Sequence, residues 1–166
     1  MDHLAVVTGA STGIGFELAR YATEKGYDLI IAADEPEIES AAERLKSSGA
    51  DVHAVQADLS TKEGVSKLYD AIKACGRPVD ALCANAGRGL GKGFLDQYPE
   101  AWRKVIDTNV TGTLDLVWRV GRDMRDRREG FSSPARSPAS FRARSRRSIT
   151  RARRSSTPSP SRFATK

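Results

Sequence analysis

The sequence predicts an α/β fold in which a parallel, doubly wound sheet is covered by helices. Three observations predict it: short apolar runs alternate with amphipathic stretches, this alternation occurs four times, and the links are short. Such alternation is typical of parallel sheets with helices on both faces. Right-handed crossovers then make the doubly wound arrangement the natural topology.

Four apolar runs of five or six residues have the length of buried strands. The run from Leu4 to Thr8 shows the pattern most clearly and ends in glycines. The predicted strands are residues 4–8, 28–33, 52–57 and 79–84.

Amphipathic segments with start and stop signals separate these runs. Pro36 opens the second, and Gly26 and Gly49 follow the first two, where glycine commonly ends a helix. The predicted helices are residues 14–25, residues 36–48, a segment capped by Ser60 or Thr61, and residues 100–125. The last of them has large apolar side chains at helical spacing: Trp102, Val105, Ile106, Val110, Leu114, Val117 and Trp118.

Charge divides the 166-residue chain into two parts. Residues 131–166 carry nine Arg, one Lys and no acidic residue, whereas the first 130 residues hold 17 basic and 21 acidic residues. The net charge of +6 therefore combines a mildly acidic globular segment with a basic tail rich in Ser, Arg, Pro and Ala. We expect a domain at residues 1–130 and a disordered tail at residues 131–166.

Composition excludes several classes of protein. No apolar run reaches eighteen residues, so no membrane association through a transmembrane helix is expected. The start, Met1 to Leu4, lacks the basic leader of a secretory signal. Cys75 and Cys83 have no metal-ligand or disulfide spacing, and Cys83 is expected to be buried and inert. A cytoplasmic location without a metal site is expected.

A glycine-rich loop joins the first strand to the first helix. It reads Thr8-Gly9-Ala10-Ser11-Thr12-Gly13-Ile14-Gly15. Glycines permit a positive φ and a close approach of the backbone to a pyrophosphate, which the amides and dipole of the helix start would face. The spacing differs from G-x-G-x-x-G, and an ordinary glycine turn is the alternative. The flanking strand and helix favour a phosphate-binding loop.

An acidic residue, Asp34, ends the second strand nineteen residues after Gly15. A carboxylate there can accept hydrogen bonds from the adenosine ribose hydroxyls and would repel a 2′-phosphate. No Arg or Lys stands beside it in the sequence. NAD(H) is therefore favoured over NADP(H).

Four motifs in the expected order resemble those of the classical short-chain dehydrogenases/reductases, over roughly residues 1–130. They are the loop Gly9–Gly15, the pair Asp58-Leu59 after the third strand, Asn85-Ala86-Gly87 after the fourth, and Asn109 in the last helix. The resemblance implies a Rossmann-type fold, cut short after about four strands. It also implies hydride transfer between NAD(P) and an alcohol or carbonyl substrate.

The resemblance assigns a role to each motif, and each has a plainer alternative. Asp58 and Leu59 would contact adenine, although Asp58 could be a helix N-terminal acid. Asn85, Ala86 and Gly87 would pass the cofactor ribose, although they could form an ordinary turn. Asn109 would help to hold a water chain to the catalytic lysine, or it could be a polar contact between helix and sheet. The loop residues Gly9, Ser11, Thr12, Gly13, Ile14 and Gly15 would bind the diphosphate; Thr12 stands where NADP-preferring relatives often have a basic residue.

The rest of the family's catalytic set is missing from its expected place. The family pattern asks for a Ser, a Tyr thirteen residues later and a Lys four residues after that, all following Asn109. The four tyrosines, at positions 21, 27, 69 and 98, precede Asn109. We therefore expect little or no turnover. Where a fifth strand is missing, we expect an exposed sheet edge. Assembly into oligomers is doubtful, because family oligomers use the long helix and the helix after it.

The tail has three interpretations: an Arg/Ser-rich segment that binds RNA or acidic partners, a plain solvated tail, or a segment translated out of frame, which we favour. If one base was lost near codon 130, the Ser codons of the tail derive from codons for apolar residues in the original frame. The Arg codons of the tail derive from codons for small residues. The register can then place Ser, Tyr and Lys where Arg136, Ile149 and Arg153 stand. These positions reproduce the family spacings, and reading the codons tests the idea.

Three functions are therefore open: an oxidoreductase, an inactive NAD(P)-binding fragment, and a nucleic-acid binder acting through the tail. Few aromatic residues interleave the arginines of the tail, which makes nucleic-acid binding the least favoured. The loop Arg88–Gly93 is expected to be flexible and solvated.

Overall fold

The computed structural model describes residues 3–47 and 49–130, the last three of them by their backbone alone. Four parallel strands form one sheet in the order β3-β2-β1-β4. The strands are β1 (His3–Thr8), β2 (Tyr27–Ala33), β3 (Val52–Gln56) and β4 (Ala81–Cys83). The helices are α1 (Gly13–Glu24), α2 (Glu37–Lys46), α3 (Lys62–Ala74), α4 (Pro99–Ile106) and α5 (Thr113–Gly130). The Arg/Ser-rich segment 131–166, with the interpretations given for it, lies outside the described residues.

Helices cover both faces of the sheet, which confirms the predicted doubly wound fold. Side chains of β1 alternate between the faces, so Ala5 and Val7 pack in the core beneath α1 and α2. Leu4 and Val6 pack on the opposite face, where α3 and α5 lie. β1 and β2 are buried almost throughout because helices exclude water from both sides.

The strand order reverses at β1. The chain moves outward from β1 through β2 to β3, and then returns to place β4 on the other side of β1. In such sheets the ligand crevice lies beyond the carboxyl ends of the strands at this switch point. The glycine loop after β1 and the segment after β4 therefore meet in space.

The fourth strand is shorter than predicted. Residues 79–84 were expected to be extended, but only Ala81–Cys83 pair with β1. The amide of Asn85 leaves the ladder and donates to the Thr8 hydroxyl at 3.0 Å. Within the described residues β4 is an edge strand, as expected, so Cys83 is half-buried instead of buried.

The long helix predicted over residues 100–125 is interrupted. α4 and α5 are joined by a π-helical segment, Asp107–Gly112, which widens the turn. The face turned to the sheet is formed by Thr108, Gly112, Leu116 and Val120. Five members of the predicted apolar stripe point outward instead: Ile106, Val110, Leu114, Val117 and Trp118.

The first two helices begin and end within two residues of their predicted bounds, whereas α5 continues to Gly130, five residues beyond the predicted end. Thr61, one of the two predicted caps, accepts a hydrogen bond from the amide of Gly64 at 3.0 Å. Pro36 precedes α2, and Gly26 follows α1 with a φ of 83°. No helix of the described ranges has the length and apolarity to cross a membrane.

Candidate dinucleotide site

The glycine loop after β1 is held against the rest of the site by close contacts. The amides of Gly9 and Ala10 donate to the Ala32 carbonyl at 2.7 and 3.2 Å. A Cβ at Gly9 would lie 2.9 Å from the Ala86 Cα, and one at Gly15 would lie 1.9 Å from the Gly9 carbonyl oxygen. These two positions require glycine because the backbone has no room for a side chain.

Gly13 serves the loop in a different way. Its φ is +57°, which side chains rarely adopt, while no heavy atom lies within 4 Å of a Cβ placed there. Thr12 precedes α1 in an extended conformation without a side-chain cap hydrogen bond. Amides of the first helical turn have no carbonyl partner within the helix, so this end can receive an anion.

Hydrogen bonds join the ends of β1 and β4. The Thr8 hydroxyl accepts from the amides of Asn85 and Ala86 at 3.0 and 2.9 Å. The Asn85 side chain donates to the Thr8 carbonyl at 3.1 Å. The buried Thr8 therefore fixes the segment Asn85–Gly87 beside the glycine loop.

A cavity of about 390 Å³ opens between these loops. That volume falls within the range of small-molecule sites, roughly 300–1,000 Å³. Eleven of the twelve predicted cofactor-binding residues line it: Gly9, Ser11, Thr12, Ile14, Gly15, Asp34, Asp58, Leu59, Asn85, Ala86 and Gly87. Gly13 lies on an adjoining depression with Thr12 and Ile14.

Asn109, the predicted catalytic residue, does not line this cavity but contacts Arg88, which does. Its side-chain oxygen accepts from the Arg88 amide at 2.8 Å, and its side-chain nitrogen donates to the Arg88 carbonyl at 3.0 Å. The π-helical segment carries Asn109 to this position. The contact resembles the polar helix-to-sheet alternative, and the catalytic role remains a prediction.

Replacing Asn109 by alanine is expected to loosen the segment after Gly87, because two hydrogen bonds to the Arg88 backbone are lost. We expect about 1–2 kcal/mol of destabilisation and faster hydrogen exchange at the Arg88 amide. Thr111→Ala, at an exposed position of the same π-helical segment, is the control. Unchanged protection of the Arg88 amide in the Asn109 variant would contradict the assignment.

Asp58 is an ionised carboxylate with partners at both of its oxygens. One of its oxygens accepts from the amide and hydroxyl of Ser60 at 2.9 and 2.7 Å, and the other lies 2.9 Å from the Lys104 ammonium. Partial burial acts to raise its pKa, but the hydrogen bonds from Ser60 and Lys104 outweigh burial and lower the pKa to about 2. Asp58 therefore stays negatively charged at the mouth of the cavity.

Substitution of Lys104 by methionine should raise the pKa of Asp58 toward its ordinary value. Because that pKa is lowered in the folded state, the ionised carboxylate stabilises the fold above about pH 4. This contribution is lost as the pH falls toward 2. The wild type should therefore be more stable than Lys104→Met above pH 4, and the difference should narrow between pH 4 and pH 2.

Urea unfolding at a series of pH values measures this difference. Lys67→Met is the control, since Lys67 is an exposed lysine of α3. If the difference in the free energy of unfolding between the wild type and Lys104→Met stays constant from pH 7 to pH 2, Asp58 does not mediate that difference.

Asp34 does not stand apart from basic residues, contrary to the sequence expectation. The Arg88 guanidinium lies 2.9 Å from its carboxylate, across 54 residues of sequence. Arg88 lies in a loop and its side chain is partly exposed, and it also lines the cavity. No local sequence pattern predicts this pair.

Two tyrosines of the chain have a lysine four residues later, as the family pattern asks, but both pairs lie away from the cavity. Tyr21 and Lys25 lie at the far end of α1, with the Lys25 ammonium 5.1 Å from the Tyr21 ring centre. Tyr69 and Lys73 lie on α3, with the Lys73 ammonium 6.0 Å from the Tyr69 ring centre. Neither pair supplies the missing catalytic residues.

A second depression, of about 410 Å³, lies near the amino ends of the strands between α3 and α5. Its charged side chains pair with acidic residues: Lys73 with Asp123 at 3.2 Å, and Arg127 with Asp80 at 3.0 Å. Such pairs support the packing of α5. The site at the carboxyl ends of the strands is the stronger candidate.

Comparison with known proteins gives a consistent result. The family model described as short chain dehydrogenase matches residues 3–132. The chain is 38% identical over 133 residues to the NADP-dependent mannitol dehydrogenase of Alternaria alternata, covering 76% of this chain and 50% of that protein. It is 30% identical over 132 residues to the 3-oxoacyl-[acyl-carrier-protein] reductase of Staphylococcus epidermidis, covering 78% and 54%.

Solved structures agree. The L-sorbose reductase of Gluconobacter frateurii, determined with NADPH and L-sorbose, superposes with a TM-score of 0.70 at 28% identity. The match covers 76% of this chain and 51% of the reductase. The chain thus spans about half the length of the relatives it matches.

Proposed function

Because the chain belongs to the short chain dehydrogenase family, we propose that it binds a nicotinamide dinucleotide at the carboxyl ends of its strands. The observation that carries this proposal is the joining of the glycine loop to the segment Asn85–Gly87 through Thr8. This joint builds one cavity at the switch point of the sheet, where such folds bind dinucleotides.

The residues fit such a cofactor. Backbone amides between Gly9 and Gly15 would hold the diphosphate, for which Gly13 leaves open space. Asp34 would face the adenosine ribose, and Asp58 with Leu59 the adenine. Asn85, Ala86 and Gly87 would let the backbone pass beside the cofactor ribose.

The parental reaction that we propose is hydride transfer between the dinucleotide and an alcohol or carbonyl substrate. When bound, the nicotinamide ring would supply or accept the hydride. The contribution of Asn109 is to hold the backbone of Arg88, which lines this site. Since no tyrosine or lysine of the described ranges lines the cavity, we expect this chain to bind the cofactor with little or no turnover.

The choice between NAD and NADP depends on Asp34. A carboxylate with no basic neighbour would favour NAD(H), as the sequence predicted. The mannitol dehydrogenase is NADP-dependent, and the sorbose reductase was determined with NADPH. A preference for NAD(H) therefore remains a prediction. The choice of cofactor then depends on Arg88, the residue that pairs with Asp34.

We further propose that residues 131–166 are translated out of frame and that residues 1–130 form the domain. The family match stops at residue 132, close to the change in composition. Restoring one base near codon 130 should give a protein with measurable turnover on a panel of alcohols. A restored protein that folds, binds cofactor and shows no turnover would contradict the proposal. Salt-dependent RNA binding that disappears when residues 131–166 are deleted would instead favour the nucleic-acid alternative.

A cytoplasmic location is consistent with the two free cysteines, Cys75 and Cys83. In the intact reaction the partner would be a small alcohol or carbonyl compound.

Calorimetry and thermal denaturation with NADH and NADPH test the binding proposal. A ligand present at a hundred times its Kd should stabilise the fold by about 2.7 kcal/mol. The same measurement on Gly13→Val, where no neighbouring atom lies within 4 Å of the added Cβ, tests the location. Folded wild-type protein that gives neither heat nor stabilisation with either dinucleotide would refute the function.

A further inference from the structure

The ion pair between Arg88 and Asp34 lies in the lining of the cavity, where the proposed function places the adenosine ribose. The guanidinium and the carboxylate lie 2.9 Å apart, and their side chains are 36% and 39% exposed. Both residues line the cavity. The pair is thus accessible to a ligand entering the site.

The position of Arg88 is set by its backbone. Asn109 hydrogen-bonds to both the amide and the carbonyl of Arg88. Beyond it, Gly89 and Gly91 have no heavy atom within 4 Å of an added Cβ. The root of the arginine side chain is therefore anchored, whereas the loop that follows is open.

Arg88 differs in charge from the other charged residues that line the cavity. The acidic residues that line it are Asp34, Glu35 and Asp58. Asp58 is paired with Lys104 outside the lining. Among the described residues that line the cavity, Arg88 is the only one with a cationic side chain.

A phosphate on the adenosine ribose would meet repulsion from Asp34 and Glu35 if no cation were present. A guanidinium beside Asp34 neutralises part of that charge. It also offers several N–H donors in a planar array that matches phosphate oxygens. The ribose hydroxyls of NAD(H) carry no charge and gain much less from a guanidinium.

We propose that Arg88 is a specificity-determining residue that admits the 2′-phosphate of NADP(H) beside Asp34. This inference rests on the proposed function, because it assigns the adenosine ribose to Asp34. It places the discrimination between the two cofactors in the segment after β4, 54 residues away in sequence from the acid after β2.

Binding constants of NADPH and NADH for the full chain, measured by calorimetry, test the proposal. Arg88→Ala should weaken NADPH binding by about tenfold or more, since a charge-assisted hydrogen bond to phosphate is lost. NADH binding should change by less than about threefold. Lys92→Ala, which removes a positive charge from the same loop, should leave the ratio of the two constants unchanged. Arg88→Gln gives a second variant that retains a hydrogen-bond donor.

A pair of fragments isolates the phosphate. Adenosine 2′,5′-bisphosphate and adenosine 3′,5′-bisphosphate have the same charge and differ only in the position of one phosphate. The wild type should prefer the 2′ isomer, and Arg88→Ala should lose that preference. Asp34→Asn should have the opposite effect to Arg88→Ala and strengthen NADPH binding.

The outcomes separate this inference from the function itself. If the wild type binds neither dinucleotide, the proposed function fails. If it binds both and Arg88→Ala shifts their affinities equally, the ion pair is only a barrier to entry and the inference is overturned. Equal binding of the two bisphosphates by the wild type would also overturn it.

Discussion

Gly15→Ala is expected to destabilise the protein by at least about 3 kcal/mol, at the upper end of overpacking effects, and to abolish dinucleotide binding. The added Cβ would lie 1.9 Å from the Gly9 carbonyl oxygen and 2.7 Å from the Asn85 side-chain nitrogen. Both neighbours belong to the joint between β1 and β4, so neither can move without breaking it. Urea denaturation measures the loss of stability, and calorimetry with NADH and NADPH measures the loss of binding.

Gly13→Ala is the matched control in the same loop. Its cost should come only from a side chain at a φ of +57°, roughly 1–2 kcal/mol. No neighbouring atom has to move. Equal destabilisation by the two alanines would show that the close packing of Gly15 does not matter.

Gly112→Ala is expected to separate the long helix from the sheet. Its Cβ would lie 1.8 Å from the Leu59 carbonyl oxygen, a backbone atom that cannot rotate away. Shifting the helix would loosen the packing of Leu116 and Val120, the buried side chains on its inner face. We expect a loss of about 3 kcal/mol or more, as for other overpacked core positions.

Gly121→Ala, on the same helix, should have the opposite sign. No heavy atom lies within 4 Å of the added methyl group, and alanine favours the helix by about 0.5–1 kcal/mol over glycine. Thermal denaturation of both variants provides the comparison. A Gly112→Ala protein as stable as the wild type would contradict the described contact between the long helix and Leu59.

Most strand positions could be predicted because burial on both faces leaves a local record. The run Leu4–Thr8 is apolar for that reason, and Gly26 marks the end of α1 through its backbone conformation. β4 was predicted too long, because side chains take part in the hydrogen bonds at both of its ends: the Leu4 amide donates to the Asp80 carboxylate, and the Asn85 amide donates to the Thr8 hydroxyl. No local pattern records those bonds.

The outward face of α5 could not be predicted from spacing. Leu114, Val117 and Trp118 have the same periodicity as core residues, yet they are exposed. The inner face is chosen by Gly112, whose lack of a side chain allows contact with Leu59. A glycine within a helical sequence pattern does not predict such a contact.

The sequence by itself determined the strand and helix pattern, the glycine loop and the residues at the strand ends, because each depends on neighbours within a few positions. Only the tertiary structure decided which side chains meet across the cavity. Arg88 lies beside Asp34, Lys104 beside Asp58, and Asn109 beneath the backbone of Arg88. These pairs join residues 21 to 54 positions apart. The distances within these pairs follow from how the helices and strands pack. The order of residues along the sequence does not predict that packing.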